Sequence, residues 1–597
     1  MYLGLNISHD SSVALTDSKG NVISALAEER ISRRKNHVGI PRKALELVLS
    51  GNNYTDIERI VIGSNSTLNW SYAVRMIQDL EGNPSNPEGS WLNPAPGAMH
   101  KYKDLHRNLK GDVRELLEFS IRSLLPNEIK SIPIIWEKHH DSHLGCALGA
   151  GISGTESLLF SFDGEGDGES GAIGIKLGES QKIQILHRID RLDSLGLLYS
   201  AVTRRYNFIG GKHEGKITGL AAYGSSSAAV DILHSHIKVN NGKVNLIRAK
   251  TLKSKITSLA LSQLGFSKKE FRTLAQIVDV AESKSNNYAD LAFAVQYCLE
   301  KSMLEIISFW VNKYSVRNIS LAGGVFSNVK LNQKISEMEI VNDVRVFPNM
   351  GDGGIALGGI WSYLDRNNSL GKQPLYSSMY LAPETLGIDD LEILDAKKDN
   401  SFMITELSSE QLAISAAKDI AQGKIVALHN GRMEFGPRAL GNRSLLLDPR
   451  NREIVETVNR KLKRTEFMPF APVILSEHFY DYFEVSRTQS LQPFYYMTMT
   501  CEVRQSVKHK IPAVVHKDNT ARPQIVDSNS NLTLNNILEE LYKITGIPLC
   551  VNTSLNVHEE PINYRLIESI KLLKTGTIDV VYTKSYRITL NDVNFNA

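Results

Sequence analysis

The chain opens on short apolar runs separated by polar turns: YLGLNI, then SHDSS, then VALT, then the turn DSKGN, then VISALA. Runs of this length bounded by turn residues predict strands, so the start reads as two short strands joined through SHDSS and a third after DSKGN, a small antiparallel unit. The pattern then changes period. In IPRKALELVLSG the apolar residues fall at helical spacing, with Pro41 near the beginning and Gly51 just past the end, which predicts a helix. Much later, ESLLFSFDGEGDGESGAIGIKLGES repeats the opening plan: a strand, a turn rich in Gly and acids, a second strand and another turn.

Strand-turn-strand units opening two halves, with helices between, read as a weak internal duplication. That is the layout of the actin-like and sugar-kinase ATPase fold, which binds nucleotides between its halves; two unrelated hairpins in an α/β protein fit the pattern equally well. Between the halves, the stretch from STLNW to LHRN is rich in Pro, Gly and Asn, and reads as an insertion of loops and short helices. The first domain closes at GDGGIALGGIWSYL. After it, DRNNSLGKQPLYSSMYLAPETLGIDD has linker composition, placing a boundary within 368–390. The expected organisation is an α/β domain over 1–370, a linker over 371–390 and a second α/β domain over 391–597.

Composition narrows the picture. A chain of 597 residues is too long for one core. Hydrophobic residues at 42% and charged residues at 22% are ordinary for a globular protein. With 68 Lys and Arg against 65 Asp and Glu, the formal net charge is +3, so no general attraction to nucleic acid or membranes follows and any anion site must be local. Four cysteines, Cys146, Cys298, Cys501 and Cys550, lie far apart without CxxC spacing, which argues against disulfides or thiolate zinc and for a reducing compartment. No signal peptide is evident and no apolar run approaches the roughly 20 residues of a membrane span, so a cytoplasmic protein is expected.

The chemistry begins at WEKHHDSHL, which follows the apolar run IPIIW. On a helix through KHHDSHLGCALGAG, His139 and His143 share one face and both can hold one metal ion, while His140 and Asp141 point elsewhere. The plainer alternative is a pair of partly exposed histidines at a helix start. Two aspartates shift the balance: Asp163 ends an apolar strand in FDGEGDG, and Asp352 sits likewise in NMGDGG before a helix. Two imidazoles with two carboxylates suit a borderline divalent ion, iron(II), manganese or zinc. In LAGGVFSN, Gly323 and Gly324 would let backbone N–H groups approach a phosphate or ribose, with Asn328 at the end of the turn. Lys212 and Lys216, in GGKHEGKITGLAAYG, would welcome a nucleotide phosphate, although paired loop lysines are more often solvated.

The second half carries a local anion site. Between Arg438 and Arg464 there are eight basic residues and three acidic ones, Asp448, Glu453 and Glu456. The GPR and GNR turns place Arg438 and Arg443 around small residues, and Arg forks match phosphate oxygens. A basic run is usually a solvated face; here the arginines alternate with Gly, Pro and apolar positions. Downstream, HKDNTARPQIV supplies His516, Arg522 and Gln524, and GIPLCVNTSLN ends a strand with Asn552, Ser554 and Asn556.

The set HDSS, EER, HHDSH, FDGEGDG, GKITGLAAYG, LAGGVFSN and GDGG resembles the first domain of the O-carbamoyltransferases typified by the nodulation, cephalosporin and tobramycin enzymes, a form related to the universal tRNA threonylcarbamoyl-transfer protein. The three later motifs resemble the C-terminal domain of the same family, itself similar to the threonylcarbamoyl-adenylate synthase fold. The resemblance covers most of the chain, excepting the linker and insertions over 66–115 and 225–285. It implies an Fe(II)-like ion held by His139, His143, Asp163 and Asp352. It places His9 and Asp10 in the family's HD turn, where His9 resembles the residue that assists the acceptor hydroxyl; a structural hydrogen-bonding role is the alternative. It also implies catalytic roles for Arg438 and Arg443, with Lys463, Arg464, His516, Arg522, Asn552 and Ser554 around the nucleotide. One departure stands out: Met468 and Thr465 replace an arginine and a glutamate that family members often carry, which bears on Lys463 and Arg464.

The activity implied by the resemblance has two steps. Carbamoyl phosphate and Mg2+-ATP give carbamoyl adenylate, phosphate and pyrophosphate in the second domain; the adenylate then passes inside the protein to the first, where an acceptor hydroxyl takes the carbamoyl group. The expected partner is a small-molecule alcohol of specialised metabolism, such as a sugar or an antibiotic, with no nucleic acid and no membrane, and a homodimer is compatible with this. A tRNA threonylcarbamoyl transferase shares the metal motif but has no need of the arginine-rich domain, and no basic stripe for tRNA is evident. A non-catalytic actin-like ATPase or a sugar kinase leaves the HxxxH pair and the second domain unexplained.

Overall fold

A computed structural model of the protein describes residues 1–65, 113–152, 154–178, 182–246, 268–372, 375–384, 386–463, 470–487 and 489–591. The chain forms two compact units, one of residues 1–28 and 36–376, the other of residues 29–35 and 377–597.

The first unit contains two five-stranded sheets. The opening strands are β1 (Tyr2–Asn6), β2 (Ser12–Thr16) and β3 (Val22–Ala27), joined by β4 (Arg59–Ile62) and β5 (Ile134–Trp136) in the order β3-β2-β1-β4-β5. The second sheet uses β6 (Ser157–Gly166), β7 (Glu169–Lys176) and β8 (Gln184–Asp190). A separate hairpin, β9 (Ile237–Asn240) and β10 (Lys243–Leu246), precedes β11 (Asn318–Ala322) and β12 (Asp343–Val346), and the second sheet runs β8-β7-β6-β11-β12. In both sheets the first strand is central. It pairs antiparallel with the second, which pairs antiparallel with the third, and its other edge carries two parallel strands. The apolar runs seen in the sequence therefore build one topology twice, the duplicated arrangement of the actin-like and sugar-kinase fold. Central strands such as β1 and β2 are buried almost throughout, which is why they read as continuous apolar runs.

The helices that follow the last strand of each sheet, His139–Ala150 and Ile355–Arg366, lie against each other. Their small residues set the distance. A Cβ on Gly145 would stand 2.1 Å from the Gly358 carbonyl oxygen, and one on Gly358 would stand 2.0 Å from that of Ser142. This close approach holds the ends of the two helices, and the residues just before them, at one place.

The second unit is built on an eight-stranded mixed sheet whose middle strands include Val426–His429, Arg443–Leu447, Leu549–Ser554 and Ala471–Leu475. Helices Ser409–Ala421 and Leu532–Thr545 cover one face, where Leu412, Ala416, Ile420, Leu534, Ile537 and Leu541 bury against Val426, Leu446 and Val473. In the turn-rich stretch with linker composition, Leu375, Tyr376, Met379, Leu381 and Ala382 are all buried. Val22 N–H donates to the Leu375 carbonyl in the first unit, and Phe435 N–H donates to the Met379 carbonyl in the second. Among the described residues, no helix is long and apolar enough to cross a membrane.

Candidate metal centre and arginine loop

The apolar strand β5 ends at Trp136, and the helix that follows begins at His139. His139 and His143 are one turn apart on it, with ring centroids 4.7 Å apart and Nε2 atoms 3.1 Å apart. Asp163, near the end of β6, and Asp352, in the tight turn after β12, close on the same point. His143 Nε2 is 3.1 Å from Asp163 Oδ2 and 3.4 Å from Asp352 Oδ1; His139 Nε2 is 3.9 Å and 3.5 Å from the same two atoms. One donor atom from each of the four residues lies within 4.8 Å of all the others.

The donor set fits a divalent cation. Two buried imidazole nitrogens face each other with two carboxylates on the same point, an arrangement in which a cation can satisfy all four. Burial opposes charge here, yet the carboxylates outweigh it: hydrogen bonds to Asp163 and Asp352 raise the His143 pKa to about 9. Burial would raise both aspartates, but the histidines hold Asp163 well below the usual carboxylate range, and His9 and His139 lower Asp352. The neighbouring residues on the helix turn away. His140 Nδ1 is 2.8 Å from Ser161 Oγ, and its pKa falls well below the ordinary value through burial and the adjacent His139 and His143. Asp141 pairs with Arg188 at 2.6 Å.

His9 stands at the rim of this cluster, half-exposed, with Nε2 3.0 Å from Asp352 Oδ2 and Nδ1 3.1 Å from Asp10 Oδ2. Burial alone would lower its pKa; Asp352 and Asp10 reverse that and raise it, while solvent at the open side screens the pull. Asp10 adopts a positive φ of 55° and accepts from Asn36 Nδ2 at 2.7 Å, which orients its carboxylate toward the ring. Asn6, at the end of β1, ties the turn to the metal cluster. Its side-chain amide donates to the carbonyls of His9, Asp10 and Asp352, and its oxygen accepts from Ser8. Asn6 carries only a slight signal in the sequence, one amide at the end of an apolar strand.

The glycine turn serves the carboxylates. Gly323 N–H donates to the Met350 carbonyl at 2.7 Å, and Gly324 N–H donates to Asp163 Oδ2 at 3.2 Å, so both N–H groups expected to face a phosphate have acceptors inside the protein. Asn328 caps the helix Val329–Ser336 through Leu331 N–H and exchanges hydrogen bonds with the buried Gln296 amide. Lys212 is exposed in the turn before the helix Glu214–Ala221, and Lys216 lies over the Phe208 ring, 5.1 Å from its centroid.

In the second unit the arginine loop connects two strands, Val426–His429 and Arg443–Leu447, and it is organised by a residue the sequence reading did not single out. Buried Glu434 accepts through Oε1 from the N–H groups of Leu440, Asn442 and Arg443 at 2.7, 2.8 and 3.2 Å. From the other side Gln524 Nε2 donates to the Leu440 carbonyl at 2.7 Å, and Asn552 Nδ2 donates to Gln524 Oε1 at 2.6 Å and to the Ala439 carbonyl at 3.2 Å. Arg438 thus follows Pro437 in a loop pinned at its next two residues, with its own side chain half-buried. The EER segment reaches this loop as well, because Arg30 donates to the Gly436 carbonyl at 2.8 Å.

Arg443 takes a different place from the one expected. Its guanidinium is fully buried, and Nη1 donates to the carbonyls of Asn430, Gly431 and Asn442 at 2.8, 3.2 and 3.0 Å. Burial lowers its pKa, with Glu434 opposing. Through Nη1 this side chain stitches the loop together. Arg522 is half-buried between strands Thr520–Ala521 and Gln524–Val526, and His516 sits in the preceding turn with Nδ1 3.1 Å from Thr520 Oγ1. Ser554 pairs across the sheet with Ser444, and Asn556 closes a turn onto the carbonyls of Val557 and Glu560. Lys463 is exposed with a φ of 57°. Arg464, Thr465 and Met468 lie outside the described residues.

The family model described as Carbamoyltransferase N-terminus matches residues 1–360, and that described as Carbamoyltransferase C-terminus matches residues 417–589. Nodulation protein NolNO of Sinorhizobium fredii is 29% identical over 97% of this chain and 79% of its own length. Nodulation protein NolO of Bradyrhizobium diazoefficiens is 30% identical over 74% of this chain and 76% of its own. An uncharacterized protein of Methanocaldococcus jannaschii is 30% identical over 99% of both chains. Among solved structures, T. kodakarensis HypF is similar over 63% of this chain and 48% of its own, at 12% identity and a TM-score of 0.30, a likeness too loose to carry an argument.

Proposed function

We propose that this chain, which belongs to the carbamoyltransferase family, is an ATP-dependent O-carbamoyltransferase that makes carbamoyl adenylate and passes its carbamoyl group to the hydroxyl of a small-molecule acceptor. The observation that carries this reading is the convergence of His139, His143, Asp163 and Asp352 beside His9. A divalent ion held by those four residues would supply an electrophilic centre that favours negative charge on a nearby oxygen. Mg2+, carried by ATP, belongs with the activation chemistry.

Carbamoyl phosphate, ATP and water give carbamoyl adenylate, phosphate and pyrophosphate, a reaction that gathers highly charged anions and calls for fixed guanidinium groups. Arg438, in the loop held by Glu434, Gln524 and Asn552, and Arg522 are our candidates for that role. Transfer is a separate event. The acceptor oxygen forms a bond to the carbamoyl carbon, the bond from that carbon to the adenylate oxygen breaks, and AMP leaves with the electron pair. His9 is our candidate to take the hydroxyl proton, for which its ring must be neutral: Asp10 fixes the ring through Nδ1, and a cation held by Asp352 would offset that carboxylate's pull on the imidazole.

The test measures two signals on the same samples: pyrophosphate released from ATP in the presence of carbamoyl phosphate, and replacement of an acceptor hydrogen by CONH2 read by mass spectrometry. Pyrophosphate release that needs carbamoyl phosphate supports the reading. ATP turnover indifferent to carbamoyl phosphate, with no carbamoylated product from any alcohol offered, sinks it.

A further inference from the structure

His139 is the first residue of its helix, where the backbone N–H has no partner within the helix, and the preceding Lys138 offers no side-chain cap. The acceptor comes from another strand. Asp167 lies in the two-residue turn between β6 and β7, where it and Gly168 take positive φ values of 56° and 80°, as a tight hairpin of this kind requires. From that turn Asp167 Oδ2 accepts the His139 N–H at 2.6 Å and the Asn65 N–H at 3.2 Å. The residue before it completes the contact: a Cβ on Gly166 would stand 2.1 Å from His139 Cδ2, so the Gly166 backbone lies against the imidazole. On the ring's other side Ser64 Oγ is 3.3 Å from Nδ1.

We infer that Asp167 is a positioning residue for the metal centre: its carboxylate fixes the start of the His139–Ala150 helix, and with it the direction in which His139 presents Nε2. The inference rests on the metal-centre reading above. The geometry separates Asp167 from its neighbours. Asp141 is the acid within the first turn of the helix itself, and its carboxylate accepts from Arg188, so it carries the helix-terminus charge effect with a different partner. Asp167 acts through the backbone of a ligand, and supporting residues of this kind commonly set metal affinity by roughly 10- to 100-fold.

The experiment titrates the full-length, metal-free protein with Co(II), reading both the dissociation constant and the visible absorption of the bound ion. Asp167→Ala is expected to weaken Co(II) binding about 10- to 100-fold and to change the spectrum. Asp167→Asn, which keeps an acceptor oxygen, should recover part of the affinity; it also decides the matter if the alanine variant does not fold. Asp141→Asn should bind Co(II) as the parent does. His143→Ala tests the underlying reading separately: if it binds Co(II) like the parent, the metal centre itself is misplaced. If His143→Ala abolishes binding while Asp167→Ala and Asp167→Asn keep the parental affinity and spectrum, the positioning role is overturned. A loss in Asp141→Asn equal to that in Asp167→Ala overturns it too, since the effect would then be one of charge alone.

Discussion

At the scale of single residues, the metal cluster depends on two imidazoles and two carboxylates delivered from three separate places, and on backbone that approaches them more closely than any side chain allows. The first dependence is tested by deletion. His139→Ala and Asp352→Ala each remove one of the four converging donors, so elemental analysis of the folded variants should find the ion lost. Parental metal content in either variant would refute the assignment. The second dependence is tested by addition. In Gly166→Ala the new methyl group would meet the buried His139 ring at 2.1 Å, and the ring must shift because it cannot leave. Metal affinity should fall by roughly 10- to 100-fold, and overpacking should cost the metal-free state roughly 1 to 3 kcal/mol. An unchanged affinity would mean that the β6–β7 turn yields and the ring does not.

At the scale of elements, the two arginines of the loop should behave oppositely although they lie in similar triplets. Arg438→Lys removes a planar fork from a half-buried position whose backbone is pinned by Gln524 and Asn552, so pyrophosphate release should fall by about 100-fold with the melting temperature near that of the parent. Arg443→Lys should instead destabilise the second unit, because one ammonium cannot replace a buried guanidinium that donates to several carbonyls; a loss of about 2 kcal/mol or more is expected from denaturant unfolding. Equal melting curves for the two variants would contradict this division. The contrast also shows what a sequence can disclose. The HxxxH pair was legible because helical period alone places both rings on one face, and Asp163 and Asp352 were legible because each comes after an apolar run and directly before a glycine. The doubled sheet was legible for a like reason: its apolar runs and turns recur. Arg443 was not, since GNR reads as a surface turn until the pairing of Arg443 with His429 buries it between strands. Glu434 was hidden for the same cause. Its three N–H donors converge only after the loop has closed, and nothing local in MEFGPR announces that.

At the scale of the whole molecule, the question is whether activation and transfer are separate events with separate machinery. The duplicated fold of the first unit gathers His9 and the metal donors at the ends of its sheets and helices, whereas the second unit holds the arginine loop, and the two sets share no residue. If the adenylate is made by the second set and consumed by the first, lesions in the two should leave different kinetic traces. His9→Asn removes the proton acceptor for the hydroxyl, so carbamoylation should fall by roughly 100- to 10,000-fold, the usual worth of a general base. Pyrophosphate release should continue, slowly and only with carbamoyl phosphate present, because the activation groups are intact and the labile adenylate hydrolyses. Arg438→Ala should lose both signals. Mixing the two variants should restore little product, since an intermediate that decomposes in water gains from enclosed transfer. The decisive comparison is pyrophosphate and product on the same samples: if folded His9→Asn loses both signals together, as Arg438→Ala does, then one composite site performs both steps and the division of labour proposed for this chain is wrong.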